Sequence, residues 1–174
     1  MNKSLLKKLE PLARRLAEVA VAQANEDKHH APMVFLIQAH DPPAVMAVNP
    51  KTVIDWHNKL QPEELAHELD AFFDPDSAAY QTLAEHNFLT EMVIRIFENW
   101  VLVPQTKEEV LALELGVPPS EFANRRSAIV LELRVPGQCL VWPHFAFVVD
   151  GQEKYVLSEF PDDSETLPLM MKMH

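Results

Sequence analysis

Ser127–Ser158, SAIVLELRVPGQCLVWPHFAFVVDGQEKYVLS, decides the fold class. Its first nine residues alternate, with Ile129, Leu131, Leu133 and Val135 on one side, the period-two signature of a half-buried strand. Pro136-Gly137 follows as a turn of type II character. Gln138–Val149 is a second apolar strand, with a bend expected at Trp142-Pro143. Asp150-Gly151 is the strongest hairpin signal in the chain, because both residues tolerate the positive φ that a type I′ turn demands. Gln152–Ser158 completes a three-stranded meander.

Upstream, the pattern alternates between helix and strand. Ser4 to about Lys28 repeats apolar residues in steps of four and three (Leu5, Leu9, Leu12, Leu16, Val19, then Gln23), the stripe of an amphipathic helix. Ser4 is the expected N-cap, and Pro11 predicts a kink or a late start. The stripe is regular enough to offer a homodimer seam along helix 4–28. Met33–Ala39 and Ala44–Val48 read as two short strands broken by Asp41-Pro42-Pro43. Pro50–Leu60 is a helix capped by Asn49, Pro62–Phe73 a second, and Asp76–Trp100 a third and longest. Its expected inward residues are Leu83, Phe88, Leu89, Met92, Ile96 and Phe97. Thr106-x-x-Glu109 is a capping box opening a short helix that Gly116 ends. The expectation is α+β: a mostly antiparallel sheet, two N-terminal strands plus the meander, covered by the N-terminal helix and the central helical segment. Residues 1–174 read as one domain with a loose acidic, Met-rich tail over 160–174.

Composition removes several classes. The three glycines, Gly116, Gly137 and Gly151, lie too far apart for a dinucleotide fingerprint or a P-loop. The single cysteine, Cys139, excludes a Cys-based zinc site and an intrachain disulfide. Set in an apolar strand, it is expected to be buried and inert. Glu26-x-x-His29 and Glu64-x-x-His67 place carboxylate and imidazole on one helix face, but two such pairs are close to chance in this composition. No metal and no cofactor are expected. The N-terminus has no apolar run of the signal-peptide kind, and no stretch is long enough to span a bilayer, so the expected location is cytoplasmic without membrane attachment.

Charge is the distinctive feature. The net charge is −11, and residues 61–121 carry thirteen acidic groups against only Arg95 and Lys107. An acidic helical surface steers and selects basic partners. The leading expectation is a non-catalytic interaction protein, of adaptor, inhibitor or immunity type. It would dock a protein partner with a basic surface through Glu63, Glu64, Glu68, Asp70, Glu108, Glu109, Glu114 and Glu121.

Two other readings stand beside it. Ala112-Leu113-Glu114-Leu115-Gly116-Val117, with Phe122 packing back, resembles the turn of a helix-turn-helix. Residues 118–126 would form the second helix and the hairpin 127–149 a wing, so 107–149 is similar to a winged-helix DNA-binding unit. That resemblance implies duplex contacts by Arg125 and Arg126. The surrounding acidity has the wrong sign for phosphate, so nucleic acid ranks behind protein as a partner. The third reading is an enzyme whose pocket gathers at least two of His57, His67, His86 and His144.

Overall fold

The computed structural model describes residues 3–27, 29–102, 104–117 and 119–161. Helix α1 (Lys3–Asp27) is followed by β1 (Met33–Gln38) and β2 (Ala44–Ala47), then α2 (Pro50–Lys59), α3 (Pro62–Asp70) and α4 (Ala78–Glu85). Strand β3 (Met92–Val101) comes next, then α5 (Lys107–Glu114), a single 3-10 turn at Pro119–Glu121, and the meander β4 (Arg126–Val135), β5 (Gln138–Val149) and β6 (Gln152–Tyr155). The strands form one antiparallel sheet in the order β2-β1-β3-β4-β5-β6. The fold is α+β, and the C-terminal meander is present.

The long helix expected over Asp76–Trp100 does not exist. Ser77 caps α4 by accepting from the Tyr80 N–H, and the helix stops after one short run. Asn87 takes the left-handed conformation (φ 57), its N–H donates to the Ala84 carbonyl, and the Phe88 N–H reaches the Leu83 carbonyl. These are the two bonds of a Schellman stop, with Leu83 and Phe88 packed in the same core. The chain then becomes β3, which joins the N-terminal hairpin to the meander through Met33↔Ile96 on one side and Leu131↔Ile96 on the other. Residues 92–97 are buried throughout.

Turn chemistry holds as expected elsewhere. Asp150 (φ 51) and Gly151 (φ 75) both adopt positive φ, as a type I′ turn requires. Asn49 accepts from the Lys51 N–H at the start of α2, and Thr106 with Glu109 forms the capping box of α5. Helix α1 begins at Lys3, so Ser4 lies inside it rather than capping it, and the helix runs on through Pro11. Pro143 stays in register within β5, opposite Val130. Phe145, two residues on, accepts from the Val156 N–H, so the missing proline N–H faces the side where β6 has already ended.

Two cores sandwich the sheet. On one face α1 presses Leu9, Ala13, Ala17, Ala20 and Ala24 onto Ile94, Ile96, Ile129, Leu131, Leu133 and Trp142. The alanines let the helix approach closely. The buried stripe is therefore turned from the expected one: Val19 and Gln23 point outward. On the other face α2, α3 and α4 bury Val53, Leu65, Leu69, Phe72, Leu83 and Phe88 against Val34, Leu36 and Val93. The remainder of that face, around Phe97, Val101, Ala128 and Val130, forms a smaller cluster. Of the expected tail, 162–174 lies outside the described residues.

Candidate functional site

Between the two clusters of the helix-covered face runs a charged row. Cross-strand pairing sets Arg95 opposite Glu132, and Arg134 follows two residues along β4. Arg95 is only 3% exposed, its guanidinium stacked over the Phe97 ring at 3.9 Å. It donates to Glu132 Oε2 (3.2 Å), while Arg134 donates to Glu132 Oε1 (2.6 Å) and to Asp70 Oδ1 (3.1 Å). Burial opposes the Glu132 charge, but the two guanidiniums outweigh it and hold the carboxyl below its ordinary pKa. The row welds α3 to the sheet.

Cys139 is exposed, contrary to the expectation of a buried residue: it pairs across from Arg134 beside the β4–β5 turn, at the end of the charged row. Its thiol donates to Glu132 Oε1 (3.4 Å). Desolvation of the sulfur and the neighbouring carboxylate raise its pKa, so the thiol stays protonated.

A concave feature among the described residues lies where β1 begins and β3 continues beyond it. Past Ile96, β3 pairs with β4 alone, and its bare edge is wrapped by two adjoining clefts of about 310 and 320 Å³. One is lined by the α2–α3 junction, His57 to Pro62, with Glu98 and Asn99. The other is lined by His30, His57, Glu98, Asn99, Trp100 and Ser127. Glu98 Oε1 accepts from Ser127 Oγ (3.1 Å) and Tyr155 Oη (2.5 Å), and Oε2 accepts from the His30 backbone N–H (3.2 Å). Desolvation and the Glu98 bond push the Tyr155 hydroxyl up to about 12. Asn25 fixes Tyr155 by exchanging two hydrogen bonds with its backbone (2.7 and 3.0 Å). Burial lowers the pKa of His30 against the opposing pull of Glu98, and desolvation with Arg95 lowers that of His57. Both imidazoles are neutral at pH 7. Arg95 Nη2 lies 3.4 Å from His57 Nδ1, which makes that nitrogen the acceptor.

The histidines expected to converge do not. His67 and His86 are exposed on α3 and just past α4. His144 is sealed between the sheet and α1, edge-on to Trp142 at 4.5 Å between centroids, its Nδ1 accepting from the Ser158 N–H (3.1 Å). Of the four, only His57 reaches the cleft, and its neighbour there is His30, which sequence reasoning missed. Nothing in the local pattern around His29-His30 marks it. Glu98 was missed for the same reason as β3 itself. No group of three or more His, Cys, Asp or Glu among the described residues is placed to hold a metal ion.

The eight carboxylates singled out from the sequence have different surroundings. Glu64 and Glu109 close capping boxes, accepting from the Gln61 and Thr106 N–H groups (2.8 and 3.3 Å). Glu109 also takes a bond from Asn124 (3.0 Å), and Asp70 is held by Arg134. Glu63 and Glu68 on α3, Glu108 on α5 and Glu121 in the 3-10 turn are exposed and form no ion pair among the described residues. Glu114 closes α5.

The second helix of a helix-turn-helix is not formed: Pro119–Glu121 makes a 3-10 turn, and the preceding long helix is replaced by α4 and β3. Arg125 stands over Trp100 (4.9 Å) and Arg126 over Phe147 (5.1 Å), so both guanidiniums rest on aromatic rings of the molecule itself. No helix among the described residues is long and apolar enough to cross a membrane. Compared with family models, curated proteins and solved structures, the chain matches none of them.

Proposed function

We propose that the chain is a non-catalytic interaction protein that docks a partner with a basic surface through the carboxylates of its central segment. One observation carries this reading. Arg95, one of only two cations within 61–121, is folded into the core against Glu132 and offsets none of the surface charge. Folding therefore leaves the outside of this segment more acidic than its composition. Glu63, Glu68, Glu108 and Glu121 face water without a cation partner among the described residues, available to steer a basic surface into register. Glu64, Asp70 and Glu109 contribute field while doing structural work, and Glu114 adds to the charge of α5.

The test is a fourfold charge reversal, Glu63→Lys, Glu68→Lys, Glu108→Lys and Glu121→Lys. Tagged wild-type protein should capture a partner from nuclease-treated native lysate at low salt and release it at high salt. The variant should capture none of it and remain folded; Glu63→Lys and Glu108→Lys lie in the first turns of α3 and α5, where losing the favourable charge costs about 0.3–1 kcal/mol each, so the melting temperature should fall by only a few degrees. Undiminished capture by the folded variant would overturn the reading.

A further inference from the structure

The outer part of the sheet carries an inference independent of the acidic segment. Helices α2, α3 and α4 pack on Val34, Leu36 and Val93, which belong to β1 and β3. Successive residues of β5 divide between the two faces. Leu140, Trp142 and Ala146 lie in the core under α1, while Val141 and Phe145 pack against Phe97 and Val130 on the opposite face. Phe147 and Val149 continue that second row, and its apolar cluster includes no residue of α2, α3 or α4. Phe147 is 41% and Val149 40% exposed, and Val156, whose N–H bonds the Phe145 carbonyl, is 44% exposed. Neighbouring large apolar side chains left open to water mark an interaction surface.

Charge narrows what covers it. Lys154 pairs across from Phe147, and the Arg126 guanidinium lies 5.1 Å from the centre of the Phe147 ring. Both cations are exposed, and neither forms an ion pair among the described residues, in a chain with 26 acidic groups against 15 basic ones. A guanidinium stacked on a ring keeps its in-plane N–H groups available to a carboxylate. The acids of the same hairpin stand aside: Glu153 alternates to the other face of β6, and Asp150 lies in the turn. The occupant is therefore apolar where it meets Phe147, Val149 and Val156 and anionic at its margin. A helix is the element that covers an open sheet face, as α2, α3 and α4 do over β1 and β3. A nucleic-acid backbone fits less well, because it offers Val149 and Val156 no apolar surface and meets Asp150 and Glu153 with like charge. An anionic membrane repels a chain of net charge −11. A second copy docked by the same face would set Arg126 and Lys154 against their own kind.

We propose that this face of the β5–β6 hairpin docks an amphipathic helix of a partner protein, its apolar stripe on Phe147, Val149 and Val156 and its carboxylates on Arg126 and Lys154.

The experiment titrates the full chain, labelled with nitrogen-15, with two synthetic amphipathic peptides of about five helical turns, roughly 18 residues. Both carry the same leucine stripe, flanked by glutamate in one and by lysine in the other. The glutamate peptide should give saturable shifts at the amides of 145–156, with an affinity that falls as salt is added. Arg126→Glu with Lys154→Glu should weaken it about tenfold or more, since two attractions become two repulsions. Phe147→Ser with Val149→Ser should weaken it to a similar extent by removing the apolar contact. Both double variants should melt within a few degrees of the wild type, because the four positions are exposed. The proposal is overturned if the glutamate peptide gives no saturable shifts, if the lysine peptide binds as tightly, or if binding survives both double variants. A short DNA duplex that shifts the same amides at lower concentration would put a nucleic acid there instead. Shifts of those amides on diluting the chain alone would seat a second copy on the face, and shifts caused by Leu167→Ser with Leu169→Ser would seat the chain's own C-terminal segment there. Each of these three results also overturns the proposal.

Discussion

Replacing Glu132 by methionine tests the charged row most directly. The substitution keeps length and bulk but strips the carboxylate from between two guanidiniums, one of them 3% exposed. Breaking a buried ion pair by removing one partner costs about 3–5 kcal/mol, because the remaining charge stays desolvated. Here Arg95 and Arg134 would also repel one another. Folded chains of this size are stable by about 5–15 kcal/mol, so the loss is a large share of the total. At about 2–4 °C per kcal/mol, the melting temperature should fall by about 6–20 °C. The decisive comparison is the double variant Arg95→Met with Glu132→Met. It removes both charges and leaves apolar groups beside Phe97 and Val93, an exchange that is often neutral or stabilising. The double variant should be more stable than Glu132→Met alone by about 1–3 kcal/mol, the coupling expected of residues in one network. Urea unfolding followed by tryptophan fluorescence gives these values, provided the slope against urea is unchanged. A single-variant loss below about 1 kcal/mol, or strict additivity in the double, would refute the reasoning and make the row a weakly coupled surface feature.

Two further predictions concern the face under α1. Burial lowers the pKa of His144 from 6.5 to about 4, so its stabilising effect is complete above pH 6.5 and is lost as pH falls from there toward 4. Unfolding free energy should drop by about 2 kcal/mol between pH 7 and pH 5 from this group alone, with His30 acting in the same direction, and His144→Leu should flatten the profile; an unchanged slope would refute it. Ala17, wholly buried against the sheet, should tolerate no bulk: Ala17→Leu should cost about 1–3 kcal/mol. Val19→Leu on the outward side should change stability by less than about 0.5 kcal/mol, and equal losses at the two positions would restore the stripe read from the sequence.

Local chemistry was legible wherever a few neighbouring residues decide the outcome. Asn49-Pro50 starts α2, Thr106 and Glu109 open α5, and Asp150-Gly151 turns the last hairpin, each through bonds made within four residues. The alternation of Ile129, Leu131, Leu133 and Val135 was legible because the face under α1 takes these four large apolar residues. By itself, then, the sequence determined the class of the fold, its turns, its meander and the acidity of its middle third. It did not determine β3. A strand paired on both sides and covered on both faces carries apolar residues at nearly every position, and Met92, Ile96 and Phe97 then fit a helical period as well as any other. Only the tertiary structure decided that this segment is the centre of the sheet. That placement puts Arg95 across from Glu132 and centres the buried face of α1 on Ala13, Ala17, Ala20 and Ala24 with Leu9, leaving Leu5, Leu12 and Leu16 at its margin and Val19 outside. It also brings His30, His57 and Glu98 to one cleft from segments of the chain that share no local pattern. Such groupings depend on strand register and on where β1 begins, which are properties of the assembled sheet.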